Sequence, residues 1–574
     1  MKLLVKEYLS SLKERGELDA ILPDLLSEMG LHVYSRPAVG VRQNGVDLAA
    51  VGNDDDGIRK VFLLTVKPGH LKRADWNGTT QSLRPSLDEI LDSYIPRRIP
   101  RQYTRLPIVI CICIGGDVDQ NIDSDLADFE NRFSKPGLEF QRWDGDRIAN
   151  MLMSAVLSDR LLPEAARSSF RKAVAMIDEP ESSYQYFSEM VELLDRNIGK
   201  RQRDLVTFSR QLNLCVWILY VWSRDANNLE APYRCSELAA LWCWKTTSPF
   251  LGKNTKPAKD MGSSMMHLIK LHVTIARDLV TIRYLPNANT RDGLSTAVQS
   301  RSSTDVNLKM FEVVGRLALT GIWQQFFLER SDELTDEGKA QVEDDLTGYT
   351  NGLISILNNN GALRSPIMDS HAIEVNLVCM FLAMRGRYDA IRDWTGQVLP
   401  ACLFAFHVNS AYPAALSEYE DLAEHPQPRE DEDYFRNATA GSTLVPSLVI
   451  WQKLTNRDAV FHELSMFLKK ELSHCTLQLW VPNESSEQHI YTHSNIHGLA
   501  LLGLEITDTA EELLDVVFEE CRQTQGCFNR LSAIRLGFWP IVLAACRHHR
   551  VAIPVHFWRD FDDRKTPESD RNDT

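Results

Sequence analysis

An aspartate, a threonine and a lysine in two short apolar segments are the residues of this sequence whose types and spacing could do chemistry. Asp47 lies within residues 45–51, and Thr65 and Lys67 end the segment 60–67. Because side chains alternate along a strand, Thr65 and Lys67 share a face, and Asp47 can meet them if the two strands pair in a suitable register. A carboxylate can bind Mg²⁺ while a neighbouring lysine holds a phosphate oxygen, which favours phosphodiester hydrolysis.

The elements that must position these residues can be read from the apolar periodicity. We predict, in order, one or two helices within residues 2–30, strands at 31–36, 45–51 and 60–67, a helix at 82–94, a strand at 106–114, a helix at 123–133 and a strand at 138–143. The run 106–114 is continuously apolar, as in a strand that is buried on both faces. This order predicts one α/β domain with a central mixed sheet over residues 1–165.

The rest of the chain has a different pattern, with Leu and aromatic residues recurring every three or four positions. We predict a linker at 166–182, an all-α domain at 183–563 and a disordered polar tail at 564–574. The fold class is therefore α+β with more than one domain. Predicted helices of the second domain are 182–222, 235–244, 265–285, 306–329, 372–384, 445–452, 457–472, 509–522 and 532–548.

Composition limits the classes of function. The 574 residues are 44% hydrophobic, which allows more than one packed core, and the net charge of −15 argues against a chain coated with nucleic acid along its length. The eleven cysteines form no CxxC pair, which is typical of a reducing compartment. The N-terminus turns charged at once and no apolar run approaches the length of a membrane span, so we expect a cytoplasmic protein with no membrane partner.

Positive charge follows the Lys67 segment along the chain. Residues 59–105 contain ten Lys or Arg against four Asp or Glu. Such a band favours contact with the phosphates of a nucleic acid, and its alternative is an ordinary solvated face. The candidate nucleic-acid-binding residues are Lys72, Arg73, Gln81, Arg84, Arg97, Arg98 and Arg101.

With these residues in place, the segment from about Leu18 to Leu152 resembles the restriction-endonuclease-like PD-(D/E)XK superfamily, in the style of Mrr-type domains. The resemblance rests on Gly45-Val46-Asp47, on the run 63–69, on the apolar strand followed by Gly115-Gly116, and on Trp143-Asp144-Gly145. It implies a Mg²⁺- or Mn²⁺-dependent DNA nuclease of prokaryotic anti-phage defence. Asp47 would bind the metal with an acid of the first helix, Asp24 or Glu28, with Asp19 not excluded, and Lys67 would be the catalytic lysine.

Thr65 departs from this pattern, because it stands where the family carries Asp or Glu. The alternative hypothesis is therefore a nuclease-like domain without catalysis, which acts as a nucleic-acid-binding or scaffold subunit of a defence complex. In both cases we expect the helical domain to sense a trigger, dock a protein partner or self-associate. A third hypothesis is RNA cleavage by the helical part, since Arg457 and His462 have the R-x4–6-H spacing of HEPN ribonucleases, a spacing that also arises by chance in this chain.

Overall fold

A computed structural model provides the structure of the chain, which divides into two compact units, residues 1–235 and 236–574. We call them the N-terminal and the C-terminal unit. The residues that the structure describes are 19–35, 44–54, 56–79, 82–157, 162–199, 201–225, 228–298, 300, 302–330, 335–455, 461–492, 497–507 and 511–561. The structure does not describe every side chain within these ranges, and those of Asp24 and Glu28 are among the ones left out. The predicted tail 564–574 also lies outside the described residues.

A five-stranded mixed sheet is the centre of the N-terminal unit. Its strands are β1 (His32–Ser35), β2 (Leu48–Asn53), β3 (Arg59–Lys67), β4 (Ile108–Ile114) and β5 (Leu138–Trp143). They lie in chain order. β2 is antiparallel to both of its neighbours, β1 and β3, and β3, β4 and β5 are parallel. The expected α+β class with a mixed sheet near the N-terminus is confirmed.

Helices join and cover these strands. They are α1 (Asp19–Glu28), α2 (Arg73–Asn77), α3 (Leu83–Glu89), α4 (Ile95–Arg97), α5 (Gln120–Phe133) and α6 (Gly145–Leu157), with a π-helical turn (Ile90–Tyr94) between α3 and α4. The helix α1 stops before Gly30, whose φ of 85° lies in the left-handed region that glycine tolerates. The parallel β3-β4 connection carries the chain from the end of β3 back to the level of its start, as parallel pairing requires.

The sheet is buried on both faces. On one face, Leu63 and Ile112 pack in a cluster with Leu87 of α3 and Leu126 of α5. The opposite face has Phe62, Leu64 and Cys111, all buried. This explains why β3 and β4 are apolar at nearly every position, in contrast to strands with one solvated face.

The N-terminal unit continues in helices where we predict a linker. α7 (Glu164–Ala175) packs against α8 (Pro180–Arg196), and α9 (Gln202–Asp225) follows. Phe170 of α7 is buried, and Ser183 donates a 2.8 Å hydrogen bond to the carbonyl of Ala173. The amphipathic pattern of α7 therefore buries an apolar face, which a linker would not do.

The predicted long helix 182–222 is two helices in the structure. The chain leaves α8 after Arg196 and starts α9 at Gln202. Asp204 accepts hydrogen bonds from the backbone N–H and the side chain of Arg201, which satisfies donors at the beginning of α9. The interruption coincides with Gly199, a residue with low helix propensity.

The C-terminal unit is mainly helical and also contains two short two-stranded sheets, which the all-α prediction lacks. α10 (Glu230–Thr247) crosses the division between the units. The following helices are α11 (Lys256–Leu279), α12 (Gly293–Ala297), α13 (Ser303–Glu329), α14 (Asp336–Asn359), α15 (Ala372–Met384), α16 (Tyr388–His407), α17 (Tyr419–Ala423), α18 (Glu432–Ala438), α19 (Leu444–Leu454), α20 (Phe461–Glu471), α21 (Ser486–His489), α22 (Glu511–Arg530), α23 (Ser532–Arg535) and α24 (Pro540–His549). The strands are β6 (Gly441–Ser442), β7 (Thr476–Leu477), β8 (Leu479–Val481) and β9 (Leu499–Leu501). A π-helical turn (Val280–Tyr284) and several 3-10 turns complete this unit.

The helices α13 and α15 pack closely at the centre of the C-terminal unit. A Cβ atom on Gly321 of α13 would lie 2.3 Å from the ring of Phe381 in α15, so glycine allows this approach. The helices α14 and α16 were not predicted. Both helices nevertheless bury an apolar stripe at helical spacing, as Leu346, Tyr349, Leu353, Ile356 and Leu357 do in α14.

Charged side chains are buried in the C-terminal unit. The Arg547 guanidinium of α24 donates to Glu237 of α10 at 2.5 Å, and His548 Nδ1 donates to the same carboxylate at 2.7 Å. Beside them, Ser236 Oγ lies 2.9 Å from His272 Nδ1. Burial alone raises the pKa of Glu237, but the charges of Arg547 and His548 outweigh it and hold this pKa well below its ordinary value. The ionised Glu237 thus connects two helices that are distant in sequence.

Among the helices that the structure describes, none combines the length and the apolar character needed to cross a membrane.

Candidate functional site

Asp47 meets the end of β3 because of the register between β2 and β3. Leu48 pairs with Leu64 and Ala49 with Leu63, so Asp47, one residue before Leu48, comes opposite Thr65. The Asp47 N–H donates to the Leu64 carbonyl at 2.9 Å, and Asp47 Oδ2 accepts a 2.7 Å hydrogen bond from the backbone N–H of Val66. The carboxylate is therefore fixed against β3, between the positions of Thr65 and Lys67.

Thr65 is the residue whose environment is most unusual. It is 1% exposed, and its Oγ1 has no hydrogen-bond partner within the described part of the chain. A buried hydroxyl without a partner costs about 1–3 kcal/mol. The site thus holds a polar atom that is unsatisfied in the protein alone and could bind a ligand atom.

Lys67 ends β3 at the edge where the three parallel strands finish. It is 9% exposed, and its carbonyl accepts a 3.1 Å hydrogen bond from the N–H of Gly115, which follows β4. The turn after Lys67 is bonded in the same way, from Gly116 N–H to the carbonyl of Gly69 at 2.8 Å. The loop after β5 is bonded to the loop after β4, since Gly145 N–H donates a 2.9 Å hydrogen bond to the carbonyl of Gly116.

Gly116 is required by this packing of loops. A Cβ atom on it would lie 2.7 Å from His70 Nδ1 and 3.1 Å from the backbone of Gly69. The Gly115-Gly116 pair therefore lets the turn after β3 lie against the loop after β4. Crevices outside the carboxyl ends of parallel strands are common binding places in α/β sheets.

Sequence reasoning missed His70 at this edge. Its Nδ1 accepts a 3.0 Å hydrogen bond from the backbone N–H of Asp117, which leaves Nε2 as the nitrogen that can face a ligand. The side chain is exposed. Its position three residues after Lys67, directly beyond Pro68-Gly69, was a signal available in the sequence.

The structure also places the first helix. Residues Gly30 and Leu31, which follow α1, lie against Gly52, and Gly52 pairs with Lys60. Side chains alternate, so α1 ends over the face opposite to that of Thr65 and Lys67. The side chains of Asp24 and Glu28 lie outside the described residues, and their role as metal ligands stays a prediction.

The donor set of the site fits a hard cation in part. Asp47 offers a carboxylate and Thr65 an unsatisfied hydroxyl, and both are oxygen ligands of the kind that Mg²⁺ takes, with phosphate and water completing its shell. Among the described residues, however, there is no group of three His, Cys, Asp or Glu side chains placed to hold a metal ion. A second carboxylate, from α1 or from elsewhere, would have to complete the site.

The predicted nucleic-acid-binding residues fall into two separate groups. Lys72 and Arg73 follow the turn after Lys67 directly, and both are exposed. Arg84 lies in the first turn of α3, near the Asp47 end, since a Cβ atom on Gly45 would meet the carbonyl of Ser86 in that helix. Gln81 lies outside the described residues.

Arg97, Arg98 and Arg101 belong to the other group, at the opposite end of the sheet. Their segment packs through Tyr103, whose ring centroid is 6.0 Å from the guanidinium of Arg59 at the start of β3. Eight residues of strand separate Arg59 from Lys67, a distance of about 26 Å. The structure therefore does not bring these arginines to the Lys67 site.

Comparison with protein-family models, with curated proteins and with solved structures gives no match. For the HEPN-like pair, Arg457 lies outside the described residues, and His462 is exposed on α20.

Proposed function

We propose that the N-terminal unit is a Mg²⁺- or Mn²⁺-dependent nuclease that hydrolyses phosphodiester bonds of DNA. The observation that carries the proposal is the contact of Asp47 with β3, which puts a carboxylate, a hydroxyl and a lysine at one end of one sheet face. The strand order and the Mrr-type motif residues support it. By the same resemblance, we place the activity in anti-phage defence, and the composition of the chain favours the cytoplasm.

The residues would divide the work as follows. Asp47, helped by Thr65 Oγ1, would bind the metal together with a second carboxylate, and Lys67 would hold a non-bridging phosphate oxygen and offset its charge. A bound metal lowers the pKa of a coordinated water and so supplies the nucleophile at neutral pH. Lys72, Arg73 and Arg84 would bind the flanking phosphates. The C-terminal unit would receive the trigger, dock a partner or self-associate.

Plasmid cleavage tests this proposal. The full-length protein is incubated with supercoiled DNA and Mg²⁺ or Mn²⁺, next to the variants Asp47→Ala and Lys67→Ala. Exposed residues of the same types provide matched controls, Asp56→Ala and Lys339→Ala. We expect each site variant to lose cleavage by about 100-fold or more, with the controls unchanged. Cleavage that survives both site changes would remove the assignment.

A second candidate function is binding of nucleic acid without cleavage, as a scaffold subunit of a defence complex. Thr65 at the position where the family carries an acid favours it. It predicts no cleavage with Mg²⁺, Mn²⁺ or their mixture, together with DNA binding that weakens steeply with salt.

A further inference from the structure

Five arginines gather at the end of the sheet that lies farthest from Lys67. We call them the distal arginines: Arg59, Arg97, Arg98, Arg101 and Arg105. Arg59 begins β3, Arg97 ends α4, and the other three lie in the chain that leads from α4 to β4. Pro107 accepts a 2.9 Å backbone hydrogen bond from Val61, which fixes the end of this segment beside the start of β3. All five side chains are exposed.

The backbone that carries the distal arginines is well held. Tyr103 anchors it, since its ring is buried and its centroid lies 5.4 Å from that of Tyr34 in β1. Backbone hydrogen bonds join Arg98 to Tyr94 at 2.8 Å and Tyr103 to Pro100 at 2.8 Å. Because the segment is ordered before any ligand binds, little conformational entropy is lost on binding.

The positive charge of this end is not balanced by neighbouring acids. Residues 93–116 contain no Asp or Glu. Of the carboxylates described at this end, Asp54 and Glu139 both bind Lys60, at 2.8 and 2.7 Å, and Asp56 lies on the β2-β3 turn. No salt bridge joins a distal arginine to a carboxylate among the residues that the structure describes.

Arginines elsewhere in the chain behave differently. Arg142 binds Glu130, Arg385 binds Glu343 and Arg547 binds Glu237. An exposed group of unpaired guanidinium ions repels itself, and this protein has a net charge of −15, so the group is not needed for solubility. The planar guanidinium forms paired hydrogen bonds with phosphate, which is the polyanion ligand that suits such a group.

The surface between the two ends indicates the form of the nucleic acid. Asp88 and Asp92 are exposed charged residues of the helical stretch that joins Arg84 to Arg97, so a phosphate backbone would be repelled in the middle and attracted at both ends. None of the described Phe, Tyr or Trp side chains in residues 19–157 is exposed. Single-stranded nucleic acids are usually bound by stacking on exposed aromatic rings, so this surface suits a duplex.

We infer that the distal arginines are a second backbone-contact surface for duplex DNA, which the protein binds at two places about 26 Å apart. This inference rests on the proposed function, because the first place is the Lys67 end. At about 3.4 Å per base pair, the separation corresponds to about eight base pairs. The substrate would therefore be a stiff duplex that extends beyond the cleaved bond by most of a helical turn.

Equilibrium binding tests the inference. The full-length protein, kept free of divalent metal, is titrated with a duplex of about 20 base pairs at several salt concentrations. The variant Arg97→Gln/Arg98→Gln/Arg101→Gln is compared with Arg171→Gln/Arg196→Gln/Arg203→Gln, which removes three exposed arginines of α7, α8 and α9. We expect about ten-fold or greater loss for the first variant only, with the slope of log K against log salt smaller by about 0.9 for each lost phosphate contact.

Two outcomes would overturn the inference. One is equal affinity of the distal variant and its control. The other is an equal loss on single-stranded DNA of the same sequence, which would contradict the duplex assignment. The binding test and the cleavage test can fail separately. If Lys67→Ala still cleaves DNA, the proposed active site is wrong. If the wild type cleaves DNA and the distal variant binds the duplex as tightly as the wild type does, only the present inference is wrong.

Discussion

The backbone N–H of Val66 donates a 2.7 Å hydrogen bond to Oδ2 of Asp47, so the aspartate that precedes β2 is held by the strand that carries Thr65 and Lys67. This contact serves the fold and the candidate site at once. It satisfies a buried strand donor, and it fixes the direction of the only side chain among the three that carries negative charge.

The double role of Asp47 can be separated by two substitutions. Asp47→Asn keeps an oxygen that accepts from Val66 but removes the charge, while Asp47→Ala removes both. We expect both variants to lose cleavage by about 100-fold or more. Only Asp47→Ala should also lower the free energy of unfolding, by about 1–3 kcal/mol, because it leaves the Val66 donor unsatisfied. Urea denaturation measures this difference, and equal stability of the two variants would contradict the role of the hydrogen bond.

The unsatisfied hydroxyl of Thr65 leads to a prediction of opposite sign. Thr65→Val keeps the shape of the side chain and replaces the hydroxyl with a methyl group, which removes the cost of burying Oγ1. We expect the free energy of unfolding to rise by about 1 kcal/mol. Cleavage should fall by less than about ten-fold, since Thr65 is a neutral ligand beside a charged one. A destabilised Thr65→Val protein would mean that the hydroxyl has a partner in solution.

The chemistry-bearing end of the sheet could largely be predicted from the sequence, whereas the distal end could not. Side chains alternate between the two faces along residues 60–67, which places Thr65 and Lys67 on one face. The short turn between β2 and β3 indicates that these two strands pair antiparallel. Arg97, Arg98 and Arg101 follow Lys67 in the chain, and so the sequence groups them with it. A parallel connection must return to the level at which β3 starts, and residues late in that connection are therefore remote from Lys67.

Pairing register and helix boundaries were also beyond prediction. A shift of one residue would turn Asp47 to the opposite face, and no local pattern in the sequence excludes such a shift. The strand 106–114 was found because an unbroken apolar run indicates burial on both faces. The helix α14 is absent from the prediction although Leu346, Tyr349, Leu353, Ile356 and Leu357 recur at helical spacing, so its apolar stripe could have been recognised in the sequence.

The buried pair of Glu237 and Arg547 predicts a large effect from removing one partner. Arg547→Met leaves the Glu237 carboxylate buried, with His548 as its remaining side-chain hydrogen-bond partner among the described residues, and it should lower the free energy of unfolding by about 3–5 kcal/mol. Adding Glu237→Leu should recover much of this loss, since the double variant no longer buries a charged carboxylate that needs a partner. The control is Arg522→Met, which breaks an exposed pair with Glu519 and should cost less than about 1 kcal/mol. Equal losses would contradict the importance of burial.

The low pKa of the buried His272 predicts that the C-terminal unit loses stability in mild acid. Burial lowers the pKa of His272 to about 4, although Glu237 opposes the shift, while Arg547 and His548 add to it. An unfolded histidine takes up its proton near pH 6.5, so the contribution of His272 is complete above pH 6.5 and is lost as the pH falls towards 4, by about 1.4 kcal/mol per pH unit. His272→Gln, which can still bond to Ser236, should flatten the stability curve between pH 6.5 and 4. The exposed control His407→Gln should not. Denaturation across this range measures both, and parallel curves for His272→Gln and wild type would show that His272 is protonated in the folded protein.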